Sequence, residues 1–161
     1  MTEQPLSREA LREKVQEAIN WTREERFIEA ILVFEDHLSN LSEGDLQDKR
    51  LAAFAFSYYG LCVAMVKRKY AEALKYCNIS VKANFMEPEH RLNLAQVYLE
   101  RDDRRKAIEH LEAGLRLEPS NRRIRQIYEE IGQRQPPPIS FLSRTNPINI
   151  WLGRMRAPNG D

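Results

Sequence analysis

Proline is missing from the stretch between Leu6 and Glu87. That leaves a long span free to form helices without losing backbone donors. Glycine is sparse: the six, at 44, 60, 114, 132, 153 and 160, form no phosphate-cradling loop. Only two cysteines occur, Cys62 and Cys77, each in an apolar segment. Two isolated thiols make neither a disulfide framework nor a zinc site. His37, His90 and His110 are scattered, with no cysteine or carboxylate at metal-ligand spacing around them. Asp102-Asp103 suit the cap of a following helix better than an acid–base pair. These absences predict no catalytic residues, no metal and no cofactor, and so a protein that is not an enzyme.

Long hydrophobic runs are lacking too. The longest uncharged stretch of note, Ala52 to Val66, includes Ser57, Tyr58, Tyr59 and Gly60. It is shorter than the roughly 20 residues a spanning helix needs. A helix packed on all sides accounts for it better than a membrane span. The N-terminal MTEQPLSREALREK has no apolar core and does not resemble a signal peptide, so the expected location is cytoplasmic. No one sign of charge dominates, because the net charge is +1. Residues 1–50 carry −5 and residues 121–161 carry +4. A basic run at Arg122-Arg123-Ile124-Arg125 could meet phosphates, yet the overall balance argues against a nucleic-acid partner.

What is present is internal repetition. RFIEAILVFEDHL (26–38), KYAEALKYCNISV (69–81) and RRKAIEHLEAGLRL (104–117) each place an early alanine, at Ala30, Ala73 and Ala107. Each has a further apolar position four residues on, at Phe34, Cys77 and Leu111. Ala73 to Ala107 is a step of 34 residues, and Ala30 to Ala73 is 43. The surplus falls in the polar segment Ser42 to Asp48, which reads as an enlarged loop or an extended helix start. From Pro88 the third copy supplies Leu94-Ala95, Tyr98, Ala107, Leu111, Gly114 and Pro119.

That pattern resembles the tetratricopeptide repeat, whose copies carry Leu-Gly or Leu-Ala at positions 7–8, Tyr at 11, Ala at 20, a small residue at 27 and Pro at 32. Only position 4, Arg91, departs in the third copy. The first copy, from Leu11, keeps Ala18, Trp21, Phe27, Ala30 and Phe34. In the second, started at Phe54, Tyr70 and Ala73 fit, but Gly60-Leu61 fall where Leu-Gly is usual. Placing Gly60 at position 8 instead requires a turn one residue longer. The resemblance covers residues 8–120 and implies an all-α helical solenoid of three helix pairs. Helices are predicted near 7–23, 26–39, 46–67, 70–84, 88–101, 104–117 and 121–134. The last, with Ile124, Ile127, Tyr128 and Ile131 at helical spacing, reads as a capping helix. Pro136-Pro137-Pro138 then ends the stack, dividing the chain into a repeat domain, 1–134, and a tail, 135–161.

The resemblance further implies a concave groove lined by the first helix of each pair. Carried onto this chain, its groove positions give Ile19, Tyr58, Cys62, Met65, Leu92, Gln96 and Leu99. This apolar set reads either as a peptide-binding surface or as core residues displaced by one step of register. The Lys, Arg and Asn clamp with which some members hold a terminal carboxylate is not rebuilt: Val15 and Ile19 occupy its main positions. The tail carries Phe141, Leu142, Ile150, Trp151 and Arg154. It could dock on its own solenoid, recruit another protein or touch an anionic membrane surface. The function expected is an adaptor or scaffold that binds another protein or peptide. The alternatives are a cytoplasmic chaperone for an apolar segment of a secreted or membrane-inserting client and, more distantly, a nucleic-acid-associated protein.

Overall fold

The computed structural model describes residues 8–38 and 49–132. Among them the chain forms seven α-helices and one π-helical turn, with no strand: α1 (Arg8–Arg23), α2 (Phe27–Leu38), α3 (Lys49–Cys62), the π turn (Val63–Lys67), α4 (Tyr70–Ala83), α5 (Pro88–Glu100), α6 (Arg104–Leu117) and α7 (Arg122–Gly132). A boundary between two compact units falls after Tyr128, and α1 to α6 all belong to the first unit. The enlarged loop expected at Ser42 to Asp48 and the tail lie outside the described residues.

Helices pair in sequence, α1 with α2, α3 with α4 and α5 with α6. The first helices α1, α3 and α5 then stack side by side. Small residues set the distance within each pair. Ala18, Ala30, Ala73, Ala95 and Ala107 are all fully buried. Gly60 makes the tightest approach. A Cβ there would lie 2.6 Å from Cys77 Sγ and 2.8 Å from the Ala73 carbonyl oxygen. Gly114 of α6 gives the same clearance to the following helix, with a Cβ at its position 2.8 Å from Ile124 Cδ1 of α7. Such contacts bring helix axes close enough for large neighbours such as Phe34, Leu94 and Leu111 to fill the space between pairs.

The contact of Gly60 with Ala73 resolves the register of the second repeat. It is the meeting of positions 8 and 20, which are 12 residues apart in the other repeats (Ala18–Ala30, Ala95–Ala107) and 13 here. The extra residue is absorbed by the π turn, whose i→i+5 bonding takes up one residue more than an α turn. Gly60 therefore occupies position 8.

The same phase is written in the backbone. Among the described residues, three other than glycine have positive φ: Glu25 (63°), Arg68 (54°) and Asp102 (64°). Each stands five residues before its repeat's alanine and turns the chain from first helix to second. Around two of these turns the closing hydrogen bonds match: Arg26 N donates to Trp21 O at 2.8 Å, and Asp103 N to Tyr98 O at 2.8 Å. This is the left-handed helix ending that usually selects glycine. Asp103 then caps α6 by accepting from Lys106 N at 3.2 Å, and Asn121 caps α7 by accepting from Ile124 N at 3.0 Å. No helix among the described residues is long and apolar enough to cross a membrane.

Candidate functional site in the first helices

A polar network joins the first helices. Arg23, at the end of α1, reaches Glu89 at the start of α5. Its Nε donates to Oε1 at 3.1 Å, and an Nη donates to Oε2 at 2.8 Å. Between them Tyr58 of α3 accepts from Arg23 Nε at 2.8 Å and donates its hydroxyl hydrogen to Glu89. Three consecutive first helices are thus tied by one charge-assisted network. Burial acts to raise the Glu89 pKa, but the hydrogen bonds from Arg23 and Tyr58 outweigh it and hold the carboxyl below its ordinary value. The bond to Glu89 raises Arg23 further, while burial foremost raises Tyr58. At neutral pH the network is a guanidinium, a phenol and a carboxylate.

Beside this network a cavity of about 300 Å³ opens between α1 and α3. It is lined by Gln16, Ile19 and Arg23, one face of α1 at helical spacing, and by Arg50, Leu51 and Phe54 from the start of α3. Arg50 lies over the Phe54 ring, 5.9 Å from its centroid. On its other side Phe54 meets His90 of α5 edge-on, with ring centroids 4.8 Å apart. One turn further along, Asn93 Nδ2 donates to Ser57 Oγ at 3.1 Å.

Several buried polar atoms on α5 have no hydrogen-bond partner: both His90 ring nitrogens, Asn93 Oδ1 and Gln96 Oε1. Burial lowers the His90 pKa to about 4, so the ring is neutral at pH 7. Orphaned buried polar groups are rare in folded proteins, and atoms buried as deeply as these are ordinarily completed by an internal water.

The groove residues expected from the sequence are placed as follows. Ile19, Tyr58, Cys62 and Leu92 are buried, and Met65, Gln96 and Leu99 are half-buried. The π turn is one physical reason for this displacement. With Gly60 at position 8, groove positions 2 and 5 of the second repeat pass from Ala55 and Tyr58 to Phe54 and Ser57, which meet His90 and Asn93. Cys62 is instead in the packing of α1 on α3, its Sγ 3.3 Å from Thr22 Oγ1. Since that hydroxyl already donates to Ala18 O at 2.8 Å, the thiol donates here. Burial pushes the Cys62 thiol up to about 12 and Cys77 up as well, so neither serves as a thiolate nucleophile near neutral pH. No group of three or more metal-ligating side chains occurs among the described residues.

Arg23, Phe54, Glu89 and His90 were not singled out from the sequence. The spacing of Glu89, Asn93 and Gln96 (i, i+4, i+7) was available as a signal. Their partners, 31 to 66 residues away, were not. The tail residues Phe141, Leu142, Ile150, Trp151 and Arg154 lie outside the described residues.

No family model and no curated protein matches the sequence. Solved structures do match in fold. The first TPR of Spaghetti (RPAP3), bound to the HSP90 peptide SRMEEVD, has a TM-score of 0.58 at 16% identity, over 80% of this chain and 94% of that one. The first TPR domain of human RPAP3 gives 0.57 at 18% identity, over 74% and 87%. The C-terminal TPR-containing domain of a Plasmodium falciparum protein described as FK506-binding gives 0.57 at 17% identity, over 80% and 92%. At such identities what is shared is the architecture. The chain has a tetratricopeptide-type helical solenoid fold.

Proposed function

We propose that this chain is a non-enzymatic adaptor that holds a peptide or helix of a partner protein against its first helices. The observation that carries this reading is the cavity between α1 and α3, where Ile19, Leu51 and Phe54 lie beside the polar Gln16 and Arg23 on the first helices. The fold relative bound to an HSP90 peptide supports peptide capture as a use to which this architecture lends itself. A chaperone for an apolar client segment would need a continuous apolar groove. With Ile19, Tyr58, Cys62 and Leu92 buried, a mixed polar and apolar surface favours the adaptor. The tail, through Phe141, Leu142, Ile150, Trp151 and Arg154, is proposed as a second recruiting segment or as a competitor for the same surface.

Affinity capture tests this with three baits: the full chain, the chain ended after Gln135, and the full chain carrying Gln96→Arg. The adaptor reading expects a partner captured by the full chain and lost with Gln96→Arg. Stronger capture after truncation would identify the tail as a competitor. Undiminished capture by Gln96→Arg would remove the groove from the account.

A further inference from the structure

We propose that the outer face of the second helices is a self-association surface, on which α2 of one copy packs against α4 of another. α2 packs on α1 and α3, and α4 packs on α3 and α5. Each turns one exposed stripe away from the first helices. That stripe recurs in register, two residues before each repeat's alanine and two and six residues after it. On α2 it is Ile28, Leu32 and Asp36, and on α4 it is Ala71, Lys75 and Ile79, all exposed.

The third repeat shows what a solvated version looks like. There the first two positions are Arg105 and Glu109, which pair with each other at 3.1 Å. On α2 the same two positions are Ile28 and Leu32, 65% and 63% exposed. Two large aliphatic side chains one turn apart gain by being covered.

Charge selects what covers them. Around the start of α2, Glu24, Glu25 and Glu29 stand with one arginine, Arg26, which reaches Glu29 at 3.0 Å and Glu24 at 3.8 Å. Around the start of α4 the balance is reversed. Arg68, Lys69 and Lys75 are exposed and stand with Glu72, which Lys69 approaches at 3.8 Å. The α2 stripe is thus apolar with an acidic start, and the α4 stripe is basic around Ile79. Each is the complement of the other. Both face outward from the same side of the first helices, so they cannot meet within one chain. A second copy can bring them together.

A two-fold axis running between α2 and α4, and along them, sets α2 on the partner's α4 and α4 on the partner's α2. Such an interface is isologous and closes at two copies. It leaves the first helices of both copies clear, and so doubles the surface offered to a repeated or oligomeric partner.

Sedimentation equilibrium of the full chain tests this. Two aliphatic anchors and screened surface charges predict a weak dimer, with Kd on the order of 10–100 µM. Leu32→Lys should weaken it about 10-fold, with thermal unfolding at low concentration confirming an intact monomer. Glu24→Lys with Glu29→Lys should weaken it by a similar factor, and so should Lys69→Glu with Lys75→Glu. Mixed in equal amounts, these two charge-swapped chains should associate with each other nearly as well as the original chain does with itself. In the mixed dimer every α2 again meets an α4 of opposite charge.

A swapped mixture that does not associate, or a dimer indifferent to Leu32→Lys, would place the contact elsewhere and overturn the proposal. So would a chain that stays monomeric up to about 200 µM. If Leu32→Lys then lowered the thermal stability of that monomer, the stripe would belong to the chain's own tail instead.

Discussion

Arg23 and Glu89, 66 residues apart, form a two-point ion pair that joins the first helix of the first repeat to that of the third. Tyr58 completes the bridge from the repeat between them. Repeat solenoids are usually held by nearest-neighbour contacts alone. A tie that skips a repeat should make the three pairs unfold more nearly as one unit. Tyr58→Phe is expected to cost about 1 kcal/mol and Glu89→Gln somewhat more, with the double variant less than additive. Urea unfolding at unchanged m-value measures this; additive losses would show that the three groups act independently.

Gly60→Ala should be among the most damaging single substitutions in the chain. The new methyl group would meet Cys77 Sγ and the Ala73 carbonyl at under 3 Å, and its helix can move away only by opening the pair. A loss of about 2–4 kcal/mol is expected. Adding Cys77→Ala should restore part of it and no more, since the Ala73 oxygen belongs to the backbone. Full rescue by the second change would mean that only the thiol is tight.

Stability should fall as the solution is acidified below about pH 6.5. His90 is neutral and buried, with a pKa of about 4 when folded against an ordinary 6.5. Between those values the unfolded chain binds more protons, so acid favours unfolding. The contribution is present above pH 6.5, is lost progressively as pH falls, and levels off below about 4. Glu89 acts in the same direction at lower pH, because its depressed pKa makes its contribution disappear as the carboxylate is protonated. Burial also lowers His110, which adds to the effect. Between pH 8 and pH 5 the His90 contribution is about 2 kcal/mol. His90→Phe should flatten the curve in that range; an unchanged pH profile would place the ring's proton exchange elsewhere.

Glycine at the left-handed turn positions should stabilise the chain. Arg68→Gly and Glu25→Gly each relieve a side chain held at positive φ, and each is expected to add about 0.5–1 kcal/mol. Asp102→Gly should add less, because aspartate tolerates this conformation better. Differential scanning calorimetry reads the shifts. A fall in Tm for Arg68→Gly would show that the arginine side chain has a role beyond the turn.

Much of this fold was legible in the chain itself. Ala30, Ala73 and Ala107 set the phase of the repeats, and the apolar spacing around them located each helix to within a few residues over the described segments. That information is local. A small residue recurring once per repeat, a proline that permits a helix to begin at Pro88, and a polar break between helices each act over a few turns of chain. Even the need for one extra residue near Gly60 was visible as a misfit of length.

Where the misfit would be absorbed was a tertiary decision. The π turn at Val63–Lys67 lets Gly60 meet Ala73 and brings Phe54 and Ser57 to the α5 side chains. The clasp of Arg23, Tyr58 and Glu89, the cavity beside it and the unpartnered atoms of Asn93 and Gln96 arise from that stacking. They depend on which faces three separate helices turn toward one another. Spacing along one helix states which residues share a face; only packing chooses the face across from it, because that choice is made by shape at contacts dozens of residues apart.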